Sequence, residues 1–195
     1  MKALRSSLKR IAQGLALAIS FPAAALTLFG RISPIYTFFA HALAFSPGLP
    51  GSYLRAAYYK MTLRKCSIDI TIWFGTYFVE PDTSIGALVS IGSYCVVGRS
   101  SIGPRTQIGS HVLIPSGRRQ HLRQEDGSLT DCLPGETIIG ADCWIGDGAI
   151  VMAELGAGST VGAGSVVTRP VSPQTVVAGN PARPIQQTLA AGPVG

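Results

Sequence analysis

Charge is scarce in this chain. Asp, Glu, Lys and Arg make up 13% of it against 47% hydrophobic residues, which excludes a disordered polyelectrolyte. Asparagine occurs once, at Asn180, and histidine only at His41, His111 and His121. Cys66, Cys95, Cys132 and Cys143 form no CxxC pair, so neither a zinc knuckle nor a disulfide framework is indicated. Zinc-finger spacing and aromatic runs of the RNA-binding kind are missing too. The formal charge of +6 and the pI of about 9.4 would suit a polyanion. Without such a motif, no nucleic-acid partner is expected.

What is present divides into two unlike parts near residue 65, within a length of 195 residues that suits one domain with an appendage. Residues 1–65 open on Lys2, Arg5, Lys9 and Arg10. Residues 11–30, IAQGLALAISFPAAALTLFG, then carry no charge, and beyond Arg31 neither do 32–54 if His41 is neutral. Four readings fit residues 11–54. They form helices broken at Pro22 and Pro34 that lie in or re-enter a membrane interface; or a true span; or a cleaved signal; or helices packed on the rest of the protein. Under any membrane reading the flanking Lys and Arg favour an anionic cytoplasmic leaflet, giving a peripheral or anchored protein on the inner face of the cytoplasmic membrane.

Residues 66–185 count in sixes. The hexads IGALVS (85–90), IGSYCV (91–96), IGPRTQ (102–107) and IGSHVL (108–113) are followed, after a gap, by IGADCW (139–144), IGDGAI (145–150), LGAGST (155–160) and VGAGSV (161–166). A period of six is neither that of a helix nor that of a meander, and repeats of this kind stack as solenoids. The first residue is aliphatic. The fifth is small or medium: Val89, Cys95, Thr106, Val112, Cys143, Ala149, Ser159, Ser165. Both are expected to point into a narrow prism, which makes Cys95 and Cys143 core residues. Glycine at the second position suits a corner that needs positive φ or close approach. Three short strands would make one triangular coil, the coils stacking at ~4.8 Å. The rhythm slips between Val97 and Ile102, between Val151 and Leu155, and most of all across a loop spanning 115–137. Residues 186–195 read as a flexible tail.

That loop contains SGRRQHLRQEDGSL (116–129), the densest cluster of charge outside the N-terminus. Insertions in solenoids map to one side, often the functional one. Imidazole suits general-base work near neutral pH, and His121 lies in the one large departure from the repeat.

Three further stretches, CWIGDGAIVM (143–152), VGAGSVVTRPV (161–171) and VVAGNPARPI (176–185), resemble the hexapeptide-repeat acyltransferases. The resemblance spans residues 68–185 and is strongest to the maltose, galactoside, xenobiotic and polysaccharide O-acetyltransferases. It implies a mainly β fold, a left-handed parallel β-helix, behind an α-helical N-terminal extension. It implies acetyl transfer from acetyl-CoA to a hydroxyl of a sugar or glycan, lipid-linked saccharides included, with His121 as general base. It implies a homotrimer whose sites lie between neighbouring prisms. Contacts to acetyl-CoA would come from Trp144, Gly146, Ala163, Ser165, Thr168, Arg169 and Arg183, the arginine fork suiting phosphate. Arg118, Arg119, Arg123 and Tyr94 are candidates for the acceptor. No metal is expected. Two features depart from the family. The upstream asparagine of several sugar acetyltransferases is absent, and no one carboxylate among Glu125, Asp126 and Asp131 stands out to orient His121. A non-catalytic scaffold or sugar-binding prism, and a zinc hydratase of the γ-carbonic anhydrase type, are the competing readings; the latter lacks a third histidine beside His111 and His121.

Overall fold

The computed structural model describes residues 2–116, 121–123, 129–131 and 135–185; for residues 2–3, 121–123 and 129–131 it describes the backbone alone. Three helices lead: α1 (Lys2–Leu26), α2 (Ser33–Ala44) and α3 (Gly48–Thr62). Pro34 starts α2 as expected. Pro22 does not break α1. It is exposed on the outer face, where a carbonyl deprived of its helical donor can turn to water.

The coils follow. The first is β1 (Lys65–Cys66), β2 (Thr71–Ile72) and β3 (Tyr77–Phe78); the second β4 (Ser84–Ile85), β5 (Ser90–Ile91) and β6 (Val96–Val97). The third is β7 (Ser100–Ile102), β8 (Gln107–Ile108) and β9 (Leu113–Ile114). Between coils three and four stands a ribbon of β10 (His121–Arg123) and β11 (Leu129–Asp131). The fourth coil is β12 (Thr137–Ile139), β13 (Trp144–Ile145) and β14 (Ile150–Val151); β15 (Thr160–Val161) and β16 (Val166–Val167) belong to the fifth, which Leu155 joins by an isolated bridge. Beyond Val171 come β17 (Val176–Ala178) and β18 (Arg183–Pro184), the latter turning back antiparallel. Coils pair in parallel on three faces: β1-β4-β7-β12, β2-β5-β8-β13-β15-β17 and β3-β6-β9-β14-β16. This is a left-handed parallel β-helix of about five turns, an exception to the usual crossover hand.

The burial pattern matches the hexads. Every first- and fifth-position residue from Ile85 to Ser165 is buried, Cys95 and Cys143 among them. Each inward aliphatic contributes at most about 1.5–3 kcal/mol. The fifth position has a second task. Thr76 Oγ1 donates to Gly92 O (2.6 Å), Thr106 Oγ1 to Gly140 O (2.9 Å) and Ser159 Oγ to Ser172 O (2.9 Å), while the Cys95 and Cys143 thiols reach Gly109 O and Gly156 O. Small donors at these five positions therefore knit their corners to the next coil. Burial pushes the Cys66, Cys95 and Cys143 thiols up, Cys66 to about 12, so all three stay protonated.

Corner chemistry separates two needs that the sequence leaves merged at glycine. Positive φ falls on the fourth position, not the second. Leu88, Arg105, Asp142, Gly158 and Gln174 stack at the first corner and Gly75, Tyr94, His111, Gly148 and Gly164 at the second, with φ from 54° to 78°. The second position is glycine because backbones touch: a Cβ on Gly92 would lie 2.5 Å from Gly109 C and O and from Ser110 N. Gly92→Ala should therefore cost about 1–3 kcal/mol by overpacking. Gly164→Asn, with open space and a residue tolerant of that φ, should cost less than half as much. Urea melts of the two variants check the contrast; equal losses would defeat it.

The open end of the first coil is capped by the helices. Tyr36 Oη donates to Phe78 O (3.2 Å), Tyr59 Oη accepts from Phe78 N–H (3.3 Å), and Gly75 N–H donates to Ala44 O (2.8 Å). Buried Arg55 donates through Nε to Ile72 O (3.1 Å) and through Nη1 to Leu43 O, Ala44 O and Ser46 O (3.0, 3.3 and 2.7 Å). An edge strand that would otherwise present unpaired groups is thus covered. The helices over residues 11–54 pack on the scaffold, and among the described residues no helix is long and apolar enough to cross a membrane.

Candidate active site

All three slips of the hexad rhythm occur at the third corner, where the chain returns from the third face to the first. Ile114 is followed there by Ile139, whereas the preceding coil steps from Val97 to Ile102. Both roots of this excursion are fastened. At the start, Ser116 Oγ donates to Glu80 (2.7 Å) and accepts from Arg99 N–H (2.9 Å). At the end, Glu136 pairs with Arg64, which also holds Asp82 (3.0 Å); Arg99 binds Asp82 as well (2.6 Å). Thr137 Oγ1 donates to Pro115 O (2.9 Å), closing the neck. Half-exposed pairs of this kind add little stability individually; as a network they fix where the excursion leaves the prism.

The excursion is not structureless. β10 and β11 pair antiparallel, with His121 opposite Asp131 and Arg123 opposite Leu129. The signal was available: Asp126-Gly127 is a hairpin dipeptide between two short runs. Strand register makes Asp131 the residue paired with His121 along the backbone; Glu125 and Asp126 lie outside the described residues. The side chains of His121 and Arg123, and the whole of Arg118, Arg119 and Cys132, lie outside the described residues.

The expected cofactor contacts spread over the last coils. Trp144 projects from β13 on the second face, half exposed. Gly146 and Ala163 meet at the second corner, where a Cβ on Gly146 would lie 2.5 Å from Ala163 N. Ser165 faces inward, its hydroxyl accepting from Gly179 N–H at 3.1 Å, so its side chain is a corner tie. Thr168 and exposed Arg169 sit at the third corner, after β16 and on the same edge as the excursion. Exposed Arg183 lies on β18, opposite Ala178. Trp144, Gly146 and Ala163 therefore form one group, and Thr168 and Arg169 another on the neighbouring edge. Beside the latter, Glu136, Met152, Glu154 and Pro170 line an open cavity of about 280 Å³.

Tyr94 and His111 stand at the second corner, stacked with centroids 5.4 Å apart, and Phe74 meets Tyr94 edge-on. His41 packs edge-on against Tyr77. Among the described residues no three His, Cys, Asp or Glu side chains converge as metal ligands.

Glycine-led hexads, three parallel faces and one rooted excursion define this chain as a hexapeptide-repeat β-helix protein. Known proteins similar to it are acetyltransferases. A hexapeptide-repeat acetyltransferase from Vibrio cholerae, VCA0836, superposes with a TM-score of 0.69 at 21% identity, over 81% of this chain and 91% of that one. A maltose O-acetyltransferase from Clostridium difficile 630 gives 0.64 at 20% identity, over 84% and 89%. At that identity the likeness is one of fold. A chloramphenicol acetyltransferase from Escherichia coli is 42% identical over 55 residues, 27% of this chain. The match spans about a quarter (26%) of that relative's length. No family model matches the chain.

Proposed function

We propose that this protein transfers an acetyl group from acetyl-CoA to a hydroxyl of a sugar, glycan or similar acceptor. The observation that carries the reading is the rooted excursion: it brings the His121 strand out of the prism at the edge that also bears Thr168 and Arg169. The acetyltransferase relatives and neighbours support the same class. In this scheme His121 takes the acceptor's proton as its oxygen attacks the thioester carbonyl. The tetrahedral intermediate collapses, the C–S bond breaks, and CoA leaves as the thiol with that proton. Backbone N–H groups would hold the oxyanion.

The two residue groups occupy neighbouring edges of one prism. A homotrimer would let His121 of one prism face the Trp144 and Ala163 edge of the next, with Arg169 and Arg183 meeting the CoA phosphates. We place the enzyme on the cytoplasmic side, where acetyl-CoA is supplied. The test is CoA-thiol release from acetyl-CoA on addition of maltose, a galactoside, chloramphenicol or a lipid-linked saccharide, beside calorimetric titration of CoA and sedimentation of the native protein. Acceptor-dependent release and a mass three times 20.4 kDa are expected. Absence of CoA binding would sink the reading.

A further inference from the structure

The first helix is inside out. A surface helix of a soluble domain turns its large aliphatics inward. Here α1 meets α3 through small residues at four-residue spacing, Ala12, Ala16, Ser20 and Ala24, with Ser20 Oγ donating to Leu54 O at 3.2 Å. The large residues point away: Leu4, Leu8, Ile11, Leu15, Ile19 and Leu26 are each 57–66% exposed. Their spacing makes one continuous stripe, bordered on one side by exposed Arg5. Leu15 and Ile19 continue it into an open, almost wholly apolar cavity of about 330 Å³ between α1 and α3.

The turn beyond α1 repeats the pattern at a conformational cost. Leu28 and Phe29 have φ of 47° and 55°, where L side chains are seldom found, yet both are half exposed. Buried Thr27 locks the turn, its Oγ1 donating to Ala24 O (2.6 Å) and accepting from Gly30 N–H (3.0 Å). Charge has one sign throughout: no Asp or Glu precedes Asp69. Lys9 pairs with Asp69 at 2.9 Å, while exposed Arg5, Arg10 and Arg31 form no ion pair among the described residues.

We infer that the α1 stripe and the Leu28–Phe29 turn dock on the surface of an anionic lipid bilayer, entering the headgroup boundary without crossing it. An apolar stripe bordered by Arg5, on a helix with unpaired Arg10 and no carboxylate of its own, complements such a surface. α1 packs on α3 and touches the first coil at Asp69 through Lys9 and Gln13, three coils away from the one that bears Trp144, so docking at α1 leaves that coil in water. This inference is independent of acetyl transfer and is read without activity.

The experiment is vesicle flotation of the full chain with phosphatidylcholine alone and with added phosphatidylglycerol, comparing wild type with Leu8→Glu/Leu15→Glu. Both sites are exposed, so the variant should keep its melting temperature and its CoA titration. Wild type should bind anionic vesicles about tenfold more tightly than neutral ones or better, losing this in high salt, and the variant should bind at least about tenfold more weakly. Equal binding of variant and wild type would overturn the inference, as would failure of wild type to bind anionic vesicles. A variant whose oligomeric mass falls while wild type ignores lipid would assign the stripe to contacts between copies instead.

Discussion

His121→Ala is expected to lower kcat for acetyl transfer by about 10³-fold, within the 10²–10⁴ that a general base contributes, and to leave the calorimetric affinity for CoA within about twofold. The split follows from the proposed chemistry. A base acts on the proton in flight and not on the bound cofactor, so its loss appears in kcat. The excursion is held at its roots by Ser116, Arg64 and Glu136, none of which the substitution touches, so melting temperature should not move. Hydroxylamine, a nucleophile active without base assistance, should be acetylated by the variant at nearly the wild-type rate. A variant retaining more than about a tenth of wild-type kcat would remove His121 from the mechanism.

Arg55→Met should destabilise the fold by about 1–3 kcal/mol. Replacing a buried charge by an apolar side chain of similar length is often harmless when both members of an ion pair go. Among the described residues Arg55 has no carboxylate partner; its partners are backbone carbonyls that remain after the substitution. That of Ile72 is fully buried in its bond, whereas Ala44 O keeps the Gly75 N–H; an orphaned buried acceptor costs about 1–3 kcal/mol. Burial already lowers the Arg55 pKa, yet a guanidinium stays charged and keeps its donors. For a chain of this length the loss corresponds to roughly 2–12 °C in Tm. Arg55→Lys should recover little, since one ammonium cannot reach Ile72 O and the end of α2 at once. A methionine variant melting within about 2 °C of wild type would show the cap to be held by its tyrosines.

The prism was legible because its period is a covalent fact. Ile91, Cys95, Ile145 and Ala149 announce their inward direction by recurrence alone, and the structure buries each of them. The left-handed corners were less legible. Their fourth positions are occupied by Leu88, Tyr94, Arg105, His111 and Asp142 as readily as by glycine, because neighbouring coils enforce the conformation that local propensity opposes. Arg55 was hidden for another reason: in sequence it is one of several basic residues before the repeat, and only tertiary packing separates a buried hub from a solvated charge. His121 was legible as a candidate by its place in the gap. The pairing of His121 with Asp131 was not, since it comes from strand register between residues ten apart.

Two of the three corners are closed to change, because glycine contacts and left-handed residues tie every coil to its neighbours there. None of the described third-corner residues has positive φ, and that edge already tolerates turns of several lengths. Each face takes its register from the coil beneath it, so material added at this edge displaces nothing else. The third edge is therefore a port through which evolution, or an engineer, can exchange the excursion while the rest of the chain is left as it stands.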